Sequence, residues 1–324
     1  MTSVTHYDAF NGDADGLCAL HQLRLAQPLA AVLVTGVKRD IALLKRIDAQ
    51  AGDSVTALDI AVEKNAGPLA ELLARGVKVR WFDHHDPGEM PVHPHFHPTI
   101  DTAAEVCTSL LVDRELGGRY RPWAVAAAFG DNLHEAARKA AEPLGLDAGH
   151  LDALRELGEC LNYNGYGDSL EDLHFHPADL YRALHAYSDP FAFMAEAAQF
   201  QTLREGYAAD MAQARAVTPA EVRPSGAVVV LPDAPWARRA SGVYANELAT
   251  THPGRAHALL SRSPKGHYVV SVRAPLRNRV GADVLCSRFD TGGGRKAAAG
   301  INVLPETRIP DFIAAFFETY PEPV

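Results

Sequence analysis

Asp83-His84-His85 sets one carboxylate and two imidazoles side by side at the end of an apolar stretch, residues 77–82. One oxygen and two nitrogen donors make a set that suits Mn²⁺, Zn²⁺ or Fe²⁺. Comparable acids recur along the chain: Asp13 and Asp15 in Asn11-Gly12-Asp13-Ala14-Asp15-Gly16, Asp59 toward the end of the apolar stretch 54–60, and Asp131 in Gly130-Asp131-Asn132. Each alone is ordinary, because Asp is favoured in turns and as a helix N-cap. Together they would crowd like charges at one edge, a repulsion that cations relieve. A two-metal site accounts for all of them at once.

The elements that must deliver these side chains follow from hydrophobic spacing. Residues 4–10, 30–35, 54–60 and 77–82 predict strands, alternating with helical spacing over 17–25, 41–47 and 64–74. Asp40 is placed to cap the segment 41–47, and Gly76 to end the preceding helix in the left-handed conformation. Strand, turn and helix in repetition predict a parallel α/β sheet, in which ligands bind beyond the carboxyl ends of the strands. The second strand is followed by Lys38 and Arg39 instead of acids, either a solvated turn or a contact to substrate. Residues 103–116 are amphipathic, 124–129 form a small buried segment before Asp131, and 135–211 read as mostly helical. That helical stretch is interrupted by the turn-rich Asn162-Tyr163-Asn164-Gly165-Tyr166-Gly167.

Beyond Pro219, Pro224 and Gly226 the pattern becomes strand-rich, at 227–231, 256–261 and 267–273. A helix over 280–289, the glycine-rich loop Gly292-Gly293-Gly294-Arg295-Lys296, and a final strand and helix complete the chain. The expectation is an α/β domain over 1–215, with a helical connector toward its end, and a smaller α+β domain over 220–324.

At 324 residues, 47% hydrophobic and 22% charged, the chain has the composition of an ordinary soluble protein. No apolar run approaches the ~20 residues of a membrane span, and residues 1–14 show no secretory pattern. Cys18, Cys107, Cys160 and Cys286 lack paired spacing and read as reduced thiols of a cytoplasmic protein. The net charge of −9 argues against sequence-independent binding to long duplex DNA. From Glu221 onward there are about 13 basic and about 9 acidic residues, so an acidic part able to hold metal precedes a basic part able to hold an anion.

Asp13-Ala14-Asp15-Gly16, Leu58-Asp59, Asp83-His84-His85 and Gly130-Asp131 resemble, in order, the four motifs of the DHH phosphoesterase superfamily. Gly292-Gly293-Gly294-Arg295-Lys296-Ala297-Ala298-Ala299-Gly300 resembles the GGGH-x-x-AAG loop of the associated DHHA1 domain, so the likeness spans residues 13–300. Members of that superfamily include RecJ-type exonucleases, nanoRNA-degrading oligoribonucleases, phosphatases of 3′-phosphoadenosine 5′-phosphate and cyclic dinucleotide phosphodiesterases. The resemblance implies a DHH catalytic domain followed by a DHHA1-like substrate domain. It also implies two Mn²⁺ per chain, with Mg²⁺, Co²⁺ or Zn²⁺ as substitutes. Asp13 would serve one ion, Asp15, His84 and Asp131 the other, and Asp59 would bridge them. His85 would face the substrate phosphate or leaving group, with Asp83 orienting a neighbouring His. The ions would lower the pKa of a water and polarise the phosphoryl oxygens.

Two departures stand out. Where the superfamily places a His before the first acids, this chain has Ala9, and Asn11 is the substitute ligand nearest to hand. Arg295 replaces the DHHA1 His, and an arginine there still binds phosphate, bidentately. Ser271-x-Arg273 resembles the basic strand facing that loop. Arg273, Gly292, Gly293, Gly294, Arg295 and Lys296 therefore form the expected substrate set, the glycines letting backbone N–H groups approach a phosphate.

His93, His95 and His97, interleaved with proline, read as an extended surface loop in preference to a ligand cluster, and His174 and His176 similarly. The reading is a Mn-dependent phosphoesterase that hydrolyses a phosphate ester of a small nucleotide or short single-stranded oligonucleotide. A RecJ-like single-strand exonuclease, which would want a more basic channel with stacking aromatics, and a non-catalytic nucleotide sensor are the alternatives. No membrane partner is expected, and a homodimer is compatible with the sequence.

Overall fold

A computed structural model describes residues 4–322. The chain divides into two compact units, one of Met1–Gly165 with Ser169–Arg204, the other of Tyr166–Asp168 with Glu205–Val324.

The first unit opens with β1 (His6–Phe10), α1 (Ala14–Ala26), β2 (Val32–Val34), β3 (Ser54–Leu58), α2 (Val62–Ala74), β4 (Lys78–Asp83) and β5 (Phe96–Ile100). The five strands form one all-parallel sheet in the order β2-β1-β3-β4-β5. Alternation along the strands supplies both faces. Val55, Ala57, Val79 and Trp81 join Leu69, Leu72 and Leu73 of α2 in one apolar cluster. Phe10, Leu58 and Phe82, one position off, are buried on the opposite face. Full burial of each such side chain contributes about 1.5–3 kcal/mol.

The remaining helices are α3 (Thr108–Glu115), α4 (Arg121–Gly130), α5 (His134–Ala141), α6 (Ala148–Gly165), α7 (Pro177–Leu184), α8 (Pro190–Glu196) and α9 (Ala198–Ala216). α1 packs on α3 and α4, and is buried continuously from Ala14 to Arg24. Its polar residues are matched inside: the Arg24 guanidinium clasps Asp8 of β1 and donates to Thr56 Oγ1 at 3.0 Å. α4 and α6 approach through Gly130 and Gly158. A Cβ on Gly158 would lie 1.9 Å from the Ala126 carbonyl oxygen, so no larger residue fits.

The structure corrects three local readings. Residues 41–47 form only a 3₁₀ turn, Leu43–Arg46, and Asp40 pairs with Arg46 instead of capping it. The turn is held from α2, where Asn65 Oδ1 accepts from the Leu44 N–H at 3.1 Å. The stretch expected to be a histidine-rich loop ends in β5, an edge strand that tolerates Pro98 because the missing N–H faces no neighbour. Asn162 to Gly165 are not a loop but the last turn of α6, with Asn164 bonded both ways to the Phe175 backbone.

The second unit holds β6 (Glu221–Arg223), β7 (Gly226–Leu231), α10 (Pro235–Thr251), β8 (Ala256–Arg262), β9 (His267–Arg273), α11 (Ala282–Cys286), β10 (Gly292–Arg295), β11 (Ala298–Pro305) and α12 (Ile309–Thr319). Its sheet runs β10-β11-β9-β8-β7-β6 and is antiparallel except for β7 and β8, which α10 connects. Leu285, Phe312 and Phe316 cover one face over Leu260, Val270 and Val272. Ala237, Ala240 and Tyr244 of α10 cover the other, over Val229, Leu231 and Leu259. The segment Tyr166–Asp168 belongs here because Asp168 accepts from Ser263 and the Tyr166 ring lies against Gly242. The division between units falls inside α9, between Arg204 and Glu205. Among the described residues no helix is long and apolar enough to cross a membrane.

Candidate metal centre

Register alone assembles the site. Phe10 pairs with Leu58 and Leu58 with Phe82 across β1, β3 and β4. The ladder continues one step further, with Asn11 N–H donating to Leu58 O at 3.2 Å and Asp59 N–H to Phe82 O at 3.0 Å. Asn11, Asp59 and Asp83 therefore form a row on three neighbouring strands at the carboxyl edge of the sheet. Asp59 holds φ 58°, the left-handed region that a non-glycine residue rarely adopts, a local strain characteristic of functional sites.

Helix ends deliver the remaining acids. Asp13 caps α1, its Oδ1 accepting from the N–H groups of Asp15 and Gly16 at 3.0 and 3.1 Å. Gly16 is required there, since a Cβ would stand 2.2 Å from the Asn11 carbonyl oxygen. Asp15 accepts from the N–H groups of Thr108 and Ser109, each at 2.7 Å, at the start of α3. Asp131 caps the carboxyl end of α4, where the helix dipole disfavours a negative charge. Helix stability alone would not place an acid there.

His84 stands among them, its Nε2 3.5 Å from Asp59 Oδ1 and 3.8 Å from Asp131 Oδ2. Its Nδ1 lies 2.8 Å from the Val106 carbonyl oxygen, which only accepts, so Nδ1 donates there and Nε2 is the nitrogen turned to the acids. His85 Nδ1 donates to Asp83 Oδ1 at 2.7 Å, which fixes the imidazole. Ligand atoms of Asp59, His84 and His85 lie within 4.8 Å of one another, as do those of Asp15, His84 and Asp131. Oxygen and imidazole donors converging in this way fit a divalent cation. Asn11 Oδ1 and Asp83 Oδ2 add buried acceptors to which no side chain or backbone group of the described residues donates.

Electrostatics point the same way. Burial, and then the charges of Asp13, Asp15, Asp131 and Asp83, push the Asp59 carboxyl well above the usual carboxylate range. Burial likewise raises Asp131, with Lys38 opposing and Asp15 and Asp13 reinforcing. For His85, burial would lower the pKa, but the bond to Asp83 and the charges of Asp83, Asp131 and Asp13 outweigh it and raise it. The cluster is short of positive charge.

One cation of the chain is already inside. The Lys38 ammonium contacts Asp13 Oδ2 and reaches Asn162 Oδ1 at 3.0 Å and Asp131 Oδ1 at 3.4 Å. Lys38 does lie in a turn, but its ammonium is engaged by the acids instead of by solvent. Asp13, whose second oxygen Lys38 holds, stands outside both ligand triads. Asn162 was hidden from sequence reasoning by its turn-rich surroundings. The available signal for Lys38 was its position after a strand at the same sheet edge as the acids.

No family model and no curated protein matches the sequence. Solved structures do. The exonuclease RecJ bound to manganese superposes with a TM-score of 0.62 at 20% identity, over 98% of this chain and 91% of that one. RecJ from Thermus thermophilus, in complex with Mn²⁺, gives 0.64 at 21% identity over 99% of this chain and 53% of its own. The pGpG-specific phosphodiesterase PggH from Vibrio cholerae gives 0.58 at 15% identity, over 97% and 98%.

The chain has the DHH-type fold. The expected phosphate-binding residues lie in the second unit. Arg273 pairs with Ala298, and Ala298 with Arg295, so both arginines occupy one row and share a sheet face. Arg295 and Lys296 are exposed, and Arg273 Nε donates to Asn246 Oδ1 at 2.8 Å. The glycine run is a strand and not the open loop expected: Gly292–Arg295 pairs with β11. Gly294 would place a Cβ 2.5 Å from Ala299 Cα, so close strand packing explains that glycine.

Proposed function

We propose that the protein is a metal-dependent phosphoesterase acting on a small nucleotide or short single-stranded oligonucleotide. The observation that carries this reading is the convergence of Asp15, Asp59, His84, His85 and Asp131 at the carboxyl edge of the parallel sheet. Asp15, Asp59, His84 and Asp131 would hold manganese, with Asn11 Oδ1 as a further donor. The two triads share His84 and so describe adjoining positions; Lys38 bears directly on how many are filled. When bound, the chemistry such an ion supplies is activation of water and polarisation of a phosphoryl oxygen.

The chain's own residues do the rest. Asp83 holds His85 by Nδ1, leaving Nε2 on the far side of the ring to donate a proton to the departing oxygen. The amide donors at the start of α3 fix the Asp15 carboxylate, and Thr108 Oγ1 donates to Asp59 at 3.3 Å, so both acids are held in place before substrate arrives. In the second unit, Arg273, Arg295 and Lys296 with Gly292, Gly293 and Gly294 are assigned to the substrate's phosphate. Similarity of fold to a manganese-bound exonuclease and to a pGpG phosphodiesterase supports this chemistry. The net charge of −9 favours a short substrate over a long strand.

The test is a length series in Mn²⁺: 5′-labelled RNA dinucleotides, 3′-phosphoadenosine 5′-phosphate and a long single-stranded DNA. Preference for either small substrate is the expected outcome. Faster, salt-sensitive degradation of the long strand would point instead to a RecJ-like exonuclease, and tight nucleotide binding with no turnover to a sensor.

A further inference from the structure

Asp131 turns its two oxygens to two different cations. Oδ2 faces His84 Nε2 and the triad with Asp15, while Oδ1 faces the Lys38 ammonium. Lys38 also holds the outer oxygen of Asp13 and the amide oxygen of Asn162, so one ammonium gathers three oxygen acceptors from α1, α4 and α6. This is the coordination pattern of a bound cation, with a lysine supplying the charge. The backbone fixes it there: Lys38 N–H donates to the Gly165 carbonyl at 2.8 Å, at the end of the helix that carries Asn162. The side chain is only a quarter exposed.

We infer that the Lys38 ammonium is a built-in cation of this centre, occupying the position of a second divalent ion, so that the chain binds a single manganese. The inference rests on the metal-dependent reading of the site. Its physical basis is that Asp13 has no oxygen left for a divalent ion, with Oδ2 on the ammonium and Oδ1 on the N–H groups of Asp15 and Gly16, whereas Asp131 keeps Oδ2 turned away from Lys38. The ion that remains belongs to Asp15, Asp59, His84 and Asp131. Lys38 acts as a positioning residue, aiming Asp131 and neutralising Asp13.

The experiment counts manganese. Wild type, Lys38→Met and Lys38→Arg are stripped with EDTA, equilibrated with Mn²⁺, and assayed by metal analysis and by electron paramagnetic resonance. Wild type and Lys38→Arg should take up about one ion per chain with the spectrum of isolated manganese. Lys38→Met should take up about two, with a spin-coupled spectrum. Two coupled ions in wild type overturn the inference while leaving the metal-dependent reading intact, and so does a folded Lys38→Met that stays at one. If Lys38→Met does not fold, the wild-type count and spectrum decide alone. Manganese on none of the three overturns the metal-dependent reading and this inference with it.

Discussion

Replacing Asp59 by Asn should stabilise the metal-free protein and abolish its response to metal. Asn keeps an oxygen to accept from Thr108 and tolerates the left-handed backbone at φ 58° as well as Asp does, so the substitution isolates charge. His84 Nε2 is 3.5 Å from Asp59 and 3.8 Å from Asp131, so those carboxylates lie within roughly 7 Å of each other. At an effective dielectric of about 20, one such like-charged pair costs about 2 kcal/mol. Several acids surround Asp59, while partial protonation and Lys38 offset them, which leaves a net gain of about 1–3 kcal/mol. That corresponds to a rise in melting temperature of roughly 3–8 °C in EDTA. With Mn²⁺ at about 100 times its Kd, wild type should gain about 2.7 kcal/mol and the variant almost nothing. Differential scanning calorimetry in EDTA and in Mn²⁺ makes both comparisons. An Asp59→Asn protein that melts below wild type in EDTA, or one that keeps the full manganese shift, would show that Asp59 is neither a source of repulsion nor a metal ligand.

Three further outcomes follow from buried contacts. Asp8→Ala should cost about 3–5 kcal/mol because it strands the buried Arg24 guanidinium, and adding Arg24→Met should recover part of that in urea denaturation. His21, buried against Trp123 with Nε2 bonded to the Tyr187 carbonyl, is held at a pKa of about 3 by burial and by the neighbouring His185. Its folded pKa lies below the unfolded value of about 6.5, so it contributes stability above pH 6.5 that is lost as pH falls toward 3. The loss is about 1.4 kcal/mol for the first full unit, and His21→Gln should flatten that part of the melting-temperature profile. Gly158→Ala should cost about 1–3 kcal/mol or more, because its methyl meets the Ala126 carbonyl and drives α4 from α6; weakened manganese binding should accompany it as Asp131 shifts.

The strands and their terminal acids were legible because a parallel sheet writes each strand as an apolar run, and the acids that end those runs have no core to enter. Asp59 and Asp83 could thus be placed at one edge from the sequence, and register sets them in a row with Asn11. What local composition obscured was decided by tertiary packing. Asn162 and Asn164 look like turn residues, yet the Asn162 amide oxygen accepts from Lys38 and the Asn164 amide is bonded both ways to the Phe175 backbone, so the helix continues through them. β5 was hidden by Pro98, which only an edge position tolerates. α10 carries Gly242 and β-branched residues that weaken helix propensity, and its burial against β7 and β8 overrides them. Lys38 was visible as a residue but not as a ligand-like cation, since nothing in the sequence records the approach of α6 to the end of β2.

We propose that this acidic edge, loaded with metal, cleaves phosphate esters. Mn²⁺-dependent hydrolysis of bis(p-nitrophenyl) phosphate and of a 5′-labelled RNA dinucleotide, wild type against Asp59→Asn, decides the matter. Turnover that EDTA abolishes and the variant reduces by at least roughly 100-fold is the predicted result. Equal turnover in the variant, or none in a wild type shown to carry manganese, would contradict it.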